Sequence, residues 1–428
     1  MKYIMSEKRF IINFLIALGL WCISLFLPDN VKTIEGYFVV STLIIYLIML
    51  PKYLLDPKNF VFGFYFAWYG IAPLFANRYK DLNNNDSSVI SAYQMFLVTF
   101  IIAMVTLDFC ERKWNLKTIK EKYREKKYLN RKEEIVLLLL FMFGLGLYVF
   151  RTGGLKLWLT NPNDAFFSRG GSGFVYLIFE YAALLLIFYG GLKKGVVKKI
   201  PYIILCVISM YFCGSKSIMM LFVFMLLSGQ IMGIKLLDKR SIVLVCLGVV
   251  VFVVGMFVRA GDIMYTFGRV ISTCLNYFDT LSEFKILLDD YPSSFLKTIY
   301  FPINWLLLKF GFHIGEPYYD TSIWLTTVYY PESWAAGGTH QWPLEAYLYL
   351  NFHYWLGLPL VIIYFFSIGW LYKKGKTEGG VWRFIFINEC LSIGSHLRGG
   401  LFNYWYIYLI PFYIVLLLWE KSKKSKYL

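Results

Sequence analysis

The sequence predicts an all-α polytopic integral membrane protein of about 12 transmembrane helices, with one large external loop containing interfacial helices. Three observations carry that expectation. Of 428 residues, 58% are apolar or aromatic and only 16% are charged, whereas soluble chains carry about a quarter charged residues. Mean hydropathy is +0.56. The apolar residues gather in runs near the length needed to cross a bilayer, roughly 20 residues at 1.5 Å each for a layer of about 30 Å. Seven cysteines without paired spacing, 33 glycines and 13 prolines exclude a disulfide scaffold, a collagen-like chain and a disordered one. Residues 1–428 read as a single membrane domain.

In chain order the expected spans are 10–27, 36–50, 60–76, 89–109, 134–150, 174–192, 200–213, 217–233, 241–258, 354–372, 381–394 and 401–419. The first follows Lys2, Lys8 and Arg9 and has no small-residue cleavage site, so it is an anchor that leaves the N-terminus inside. On that orientation 30 of the 43 basic residues fall on cytoplasmic segments and 13 on external ones, as retention of basic loops requires. Both termini are then cytoplasmic. The net charge of +16 reflects anchoring, concentrated in the cytoplasmic loop 110–133, and gives no reason to expect nucleic acid. That loop reads as a solvated, topology-fixing segment rather than a lipid-binding one.

Two arms depart from the regular pattern. Segments 200–213 and 381–394 span about 21 Å each at 1.5 Å per residue, short of the hydrocarbon thickness. Their turns, Gly214-Ser215-Lys216-Ser217 and Gly394-Ser395-His396-Leu397-Arg398-Gly399-Gly400, are expected below the outer surface, where irregular backbone must line a cavity. A middle external loop, 151–173, and a large one, 259–353, complete the outer face. The large loop is too long to be a mere connection, and its apolar stretch 295–310 reads as interfacial helices.

The outer face carries the chemistry. Arg151 and Arg169 bracket the middle loop, Arg259 ends the ninth span, and Lys216 and Arg398 occupy the two recessed turns. Cations are disfavoured on that side, so each needs a reason beyond topology. A lipid diphosphate head group supplies one, since arginine contacts phosphate bidentately and lysine acts as a point charge. The alternative for each is snorkelling or pairing with a buried acid such as Glu180 or Glu389. Arg269 reads as structural, and Asp289-Asp290 as solvated surface.

The large loop contains 22 Phe, Tyr and Trp residues, among them Trp305, Trp324, Trp334 and Trp342; these suit sugar faces but also a membrane-interface belt. Of four histidines, His313 and His353 read as satisfied structural residues, and His396 lies in a recessed turn. His340, in the polar stretch Gly337-Gly338-Thr339-His340-Gln341-Trp342-Pro343-Leu344-Glu345, is the candidate general base. Glu345 is the rival base, or a group that orients His340 or an acceptor hydroxyl. No nucleotide-binding loop, zinc spacing or other cofactor or metal motif is present in the sequence.

This arrangement resembles the Wzy-type polymerases of O-antigen and capsule synthesis. Arg151-Thr152-Gly153-Gly154 with Arg169-Gly170-Gly171 resembles that family's middle loop, and Gly214-Ser215-Lys216 stands where such proteins often have Gly-Ser-Arg. Glu345-Ala346-Tyr347-Leu348-Tyr349-Leu350-Asn351-Phe352 resembles the segment entering the span after the large loop. His340-Gln341 with Leu344 is similar to the His-Asn motif of the related O-antigen ligases, although Gly357 is displaced relative to it.

The resemblance implies a GT-C-type glycosyltransferase in the bacterial cytoplasmic (inner) membrane, its active site facing outside. It would join polyprenyl-diphosphate-linked oligosaccharide repeat units, transferring the growing glycan from one lipid carrier to a second lipid-linked unit and releasing polyprenyl diphosphate. Donor, acceptor and membrane lipid are the implied partners, with a flippase and a chain-length regulator of the same pathway. Fixed cations, Arg151, Arg169, Lys216, Arg259 and Arg398, would hold the diphosphate without a metal, and His340 or Glu345 would accept the proton. A ligase-type glycan transferase, a lipid-linked glycan transporter and a lipid-binding assembly partner are the alternatives.

Overall fold

A computed structural model describes residues 2–75, 86–116, 129–168, 172–213, 216–260, 280–295, 307, 310–312, 321–335, 339–401 and 406–425. Among the described residues, 81% are helical and no strand occurs. The helices are α1 Lys2–Ser24, α2 Val31–Ile48, α3 Pro57–Tyr65, α4 Ala72–Phe75, α5 Ser87–Lys113, α6 Arg131–Arg151, α7 Gly154–Thr160, α8 Pro162–Phe167, α9 Gly173–Gly191 and α10 Val196–Cys213. They continue with α11 Lys216–Leu226, α12 Lys239–Ala260, α13 Leu281–Asp290, α14 Thr321–Tyr329, α15 Pro331–Ala335, α16 Leu344–Phe352, α17 Leu358–Thr377, α18 Gly380–Leu397 and α19 Tyr406–Ser425. Some helix is described within each of the twelve expected segments, although residues 76 and 402–405 lie outside the described residues and 227–230 form a turn. Six helices among the described residues are long and apolar enough to cross a membrane: α2, α5, α6, α9, α10 and the stretch Trp355–Thr377 that includes α17.

Local chemistry starts these helices where the sequence provides caps. Asn30, Asp56 and Asp86 each accept a backbone N–H of the first turn of α2, α3 and α5, and Pro57 follows its cap directly. Asn130 and Glu133 form a reciprocal capping box at α6. The third expected span is not one helix: α3 passes through a π-helical turn, Phe66–Ile71, into α4.

The two arms expected to be short are each 18 residues long, about 27 Å at 1.5 Å per residue. The hydropathy windows ended at Ile200 and Gly394, but the backbone stays helical through Lys198 and Lys199 in α10 and through His396 in α18. The buried His396 ring, hydrogen-bonded to the Tyr364 hydroxyl at 2.9 Å, holds that last turn. Arm length therefore gives no ground for placing the two turns below the surface.

Packing separates a core from a periphery. Helices α5 and α9 are buried along most of their length, whereas α6 and α10 expose apolar faces, as suits helices bordered by lipid. Close approach is made by small residues. A Cβ on Gly144 of α6 would lie 2.8 Å from the Phe179 backbone nitrogen of α9, and one on Gly369 of α17 would lie 2.7 Å from Cys110 Cβ of α5.

The 27-residue α5, about 40 Å long, connects two polar regions. At its C-terminal end Lys58, fully buried, pairs with Glu111, stands 3.7 Å from Asp108 and donates to the Met49 carbonyl at 2.8 Å. Arg112 reaches the other Asp108 oxygen at 2.7 Å. Buried Lys376 donates to the Leu116 carbonyl at 2.9 Å and lies 3.6 Å from the Tyr53 ring centre. At the opposite end of α5, Lys285 of α13 bridges Asp289 at 2.5 Å and Asp86 at 3.1 Å, fastening α13 against the start of α5.

Candidate functional site

The site grows from that second end. Leu281, Phe284 and Leu287 bury one face of α13, with the Phe284 ring 5.7 Å from Phe96 of α5. This packing turns Glu283 inward, where its side chain is 4% exposed.

His340 lies in the extended stretch before α16 and is fixed on every side. Its backbone N–H donates to Thr326 Oγ1 at 3.0 Å, and that hydroxyl donates to the Ser322 carbonyl at 2.6 Å. Its ring stacks on Tyr330, centroids 3.7 Å apart and planes within 5°. Nδ1 is 3.1 Å from Glu283 Oε1, and Nε2 is 3.2 Å from the Ser333 hydroxyl on α15. A carboxylate only accepts, so Nδ1 carries the proton and the Nε2 lone pair faces a hydroxyl. The imidazole stays 21% exposed. An imidazole held in this way can accept a proton from an O–H group.

Glu345, in the first turn of α16, is placed differently. It is fully buried, and Oε1 accepts from the Tyr65 hydroxyl of α3 at 2.7 Å while Oε2 has no hydrogen-bond partner among the described residues. Burial pushes its carboxyl up to about 7, opposed by the Tyr65 hydrogen bond. Tyr69, on the π-helical turn, stacks on Phe96 with centroids 3.8 Å apart; such turns concentrate at functional positions. Its hydroxyl lies within electrostatic reach of Glu345, Glu283 and Arg398, which joins the two carboxylates and the arginine into one neighbourhood.

Arg398 caps the C-terminus of α18 and is half-buried. Beyond it the chain turns at Gly400, with φ +97°, where a Cβ would lie 2.8 Å from the Tyr347 ring; only glycine fits that left-handed, crowded position. Arg151 ends α6 with its side chain exposed. Arg169 and the side chains of Lys216 and Arg259 lie outside the described residues, as do Arg269, Trp305 and His313 and most of the 295–310 stretch.

Helix direction still constrains those positions. The Leu236 N–H donates to the Lys52 carbonyl at 3.0 Å just before α12, and the Arg383 guanidinium at the start of α18 donates to the Ser228 carbonyl at 3.2 Å beyond α11. The starts of α12 and α18 and the end of α11 thus share the Lys58 end. The N-terminus of α11 and the C-termini of α12 and α18, which carry Lys216, Arg259 and Arg398, are thereby directed away from the Lys58 end. The two oxygens of Glu389 accept from Tyr406 and Tyr413, both at 2.8 Å, so they are occupied by hydroxyls rather than by a cation. His353 bonds Ser293 at 2.7 Å, and Asp289 is held by Lys285 rather than simply solvated.

The sequence alone did not single out Glu283, Ser333, Tyr65 or Tyr69. For Glu283 a signal existed: an acid on the buried flank of the amphipathic α13. Tyr65 and Ser333 carry none, because hydroxyls are unremarkable in aromatic-rich segments. No protein-family model, curated protein or solved structure matches the chain.

Proposed function

We propose that this protein transfers a glycan from a polyprenyl diphosphate to a hydroxyl of a second lipid-linked oligosaccharide at the outer face of the bacterial cytoplasmic membrane, crossing it about twelve times. The observation that carries the reading is the His340 constellation, an imidazole with Nδ1 on a carboxylate and Nε2 on a hydroxyl; its Glu283 partner and Arg398 both act electrostatically on the Tyr69 hydroxyl. A sugar diphosphate is already activated. The protein has only to take a proton from the attacking hydroxyl and to balance charge growing on the leaving phosphate.

On this reading His340 is the base and Glu283 stabilises the imidazolium that forms. Arg398 is the described cation best placed for the diphosphate, with Arg151, Arg169, Lys216 and Arg259 as further phosphate contacts. Glu345, buried against Tyr65, acts on the electrostatics of Tyr69 rather than on substrate.

The test is cell-surface glycan length in a deletion strain. His340→Ala and Arg398→Ala are expected to reduce long chains to single repeats at normal protein levels, and retention of long chains in both overturns the assignment. Single additions to a core lipid, with no elongation, would instead indicate a ligase-type transferase.

A further inference from the structure

The proposed reaction leaves one contact unexplained: His340 Nε2, the nitrogen that must meet the substrate, is already engaged by Ser333 at 3.2 Å. Ser333 sits on α15, a five-residue helix whose side chains Pro331, Glu332, Trp334 and Ala335 are exposed. Trp334, 39% exposed, is its neighbour, and the Trp334 backbone N–H holds the helix to the Tyr330 carbonyl at 3.1 Å. Thus a hydroxyl meets the base, a partly exposed indole follows it along the chain, and Tyr330 backs the imidazole. The carboxylate–imidazole–hydroxyl order is also that of a nucleophilic serine. Chemistry disfavours that role here. Moving the glycan onto Ser333 would release the diphosphate and leave a glycoside whose alkoxide leaving group is as poor as the product's, discarding the activation.

We propose that Ser333 is a resting-state cap on His340 and that Trp334 is the platform of the acceptor subsite, taking the face of a sugar ring whose hydroxyl displaces the Ser333 hydroxyl from Nε2. This rests on the glycosyl-transfer reading. In the step itself the acceptor oxygen bonds the anomeric carbon and its proton passes to Nε2. The carbon–oxygen bond to the diphosphate breaks, and its electron pair leaves on the phosphate oxygen. An indole face gains by covering apolar C–H surface, and the cap keeps water off Nε2 until a hydroxyl arrives.

The test pairs a chemical probe with glycan length, using the full-length protein in membranes. Diethyl pyrocarbonate acylates a free imidazole nitrogen, and with four histidines in the chain the modified peptide identifies His340. Ser333→Ala is expected to speed labelling of His340 about fivefold, the factor one ordinary hydrogen bond holds closed, while Ser333→Thr keeps it slow. Under restricted supply of repeat units Ser333→Ala is expected to make several-fold more polymer, and Trp334→Ala several-fold less with labelling unchanged.

Unchanged labelling in Ser333→Ala overturns the cap. Polymer loss in Ser333→Ala as deep as in His340→Ala, with normal thermal unfolding, also overturns it and assigns the hydroxyl to covalent chemistry. Full-length chains in Trp334→Ala overturn the platform. Long chains in His340→Ala sink the glycosyl-transfer reading instead, and the labelling result then still reports whether Ser333 covers the ring.

Discussion

The two ends of α5 hold polar residues for opposite purposes. At the Lys58 end, charges close on one another: Lys58 with Glu111 and Asp108, Asp108 with Arg112, and Lys376 with a carbonyl and aromatic rings. Lys58 and Asp108 show no exposure at all. At the His340 end the described constellation is less closed: the far side of the imidazole meets the Ser333 hydroxyl, and the ring stays 21% exposed. A sealed charge network can hold helices in register, but it has no face left for a substrate. A network with one accessible nitrogen can do chemistry.

The sharpest break between the ends comes from Lys58→Met. It leaves Asp108 and Glu111 buried with a counter-charge missing, at a cost of about 3–5 kcal/mol. The measurement is thermal unfolding in detergent together with yield in membranes. Adding Glu111→Gln to the same variant should recover much of the loss; no recovery would show that packing rather than charge governs that end.

His340→Ala is expected to do the reverse. It should leave thermal unfolding near wild type while slowing polymerisation about 10²- to 10⁴-fold, read as glycan chain length and as rate in membrane vesicles. A matching fall in unfolding temperature would make the His340 end another structural lock.

Between these extremes stands Glu345. Its folded-state carboxyl is pushed up to about 7 from an ordinary 4.5, so the native state keeps a proton that the unfolded chain releases. Stability contributed by that proton is complete below about pH 4.5 and falls as pH rises to about 7, by on the order of 3 kcal/mol at most. Glu345→Gln cannot titrate, so its unfolding temperature should gain on wild type from pH 5 to pH 8. Parallel curves would show that the carboxyl does not carry this proton. The smallest effect belongs to Lys285→Ala. This partly exposed link between α13 and α5 should contribute no more than about 1 kcal/mol, shrinking further in high salt.

Much of the helical plan was legible because it is local. Apolar runs placed the helical segments, while the caps Asn30, Asp56 and Asp86 that fix where α2, α3 and α5 start came from the structure. Hydropathy misjudged α10 and α18, since a helix continues through lysines and a buried histidine that a hydropathy window rejects. His340 was legible as a histidine in a polar, glycine-bearing stretch, and Glu345 as a nearby acid.

The residues that give those two their different roles were not legible. Glu283 lies 57 positions from His340, and Tyr65 lies 280 from Glu345, and nothing in one sequence records which distant side chains meet. By itself the sequence determined that this chain is an apolar, helical, membrane-type protein, because composition and periodicity depend only on neighbours along the backbone. Only tertiary structure decided that Glu283 faces His340 while Glu345 is buried against Tyr65. Burial and hydrogen-bond partnership belong to the packed assembly of α3, α5, α13 and α16, and to none of these helices alone.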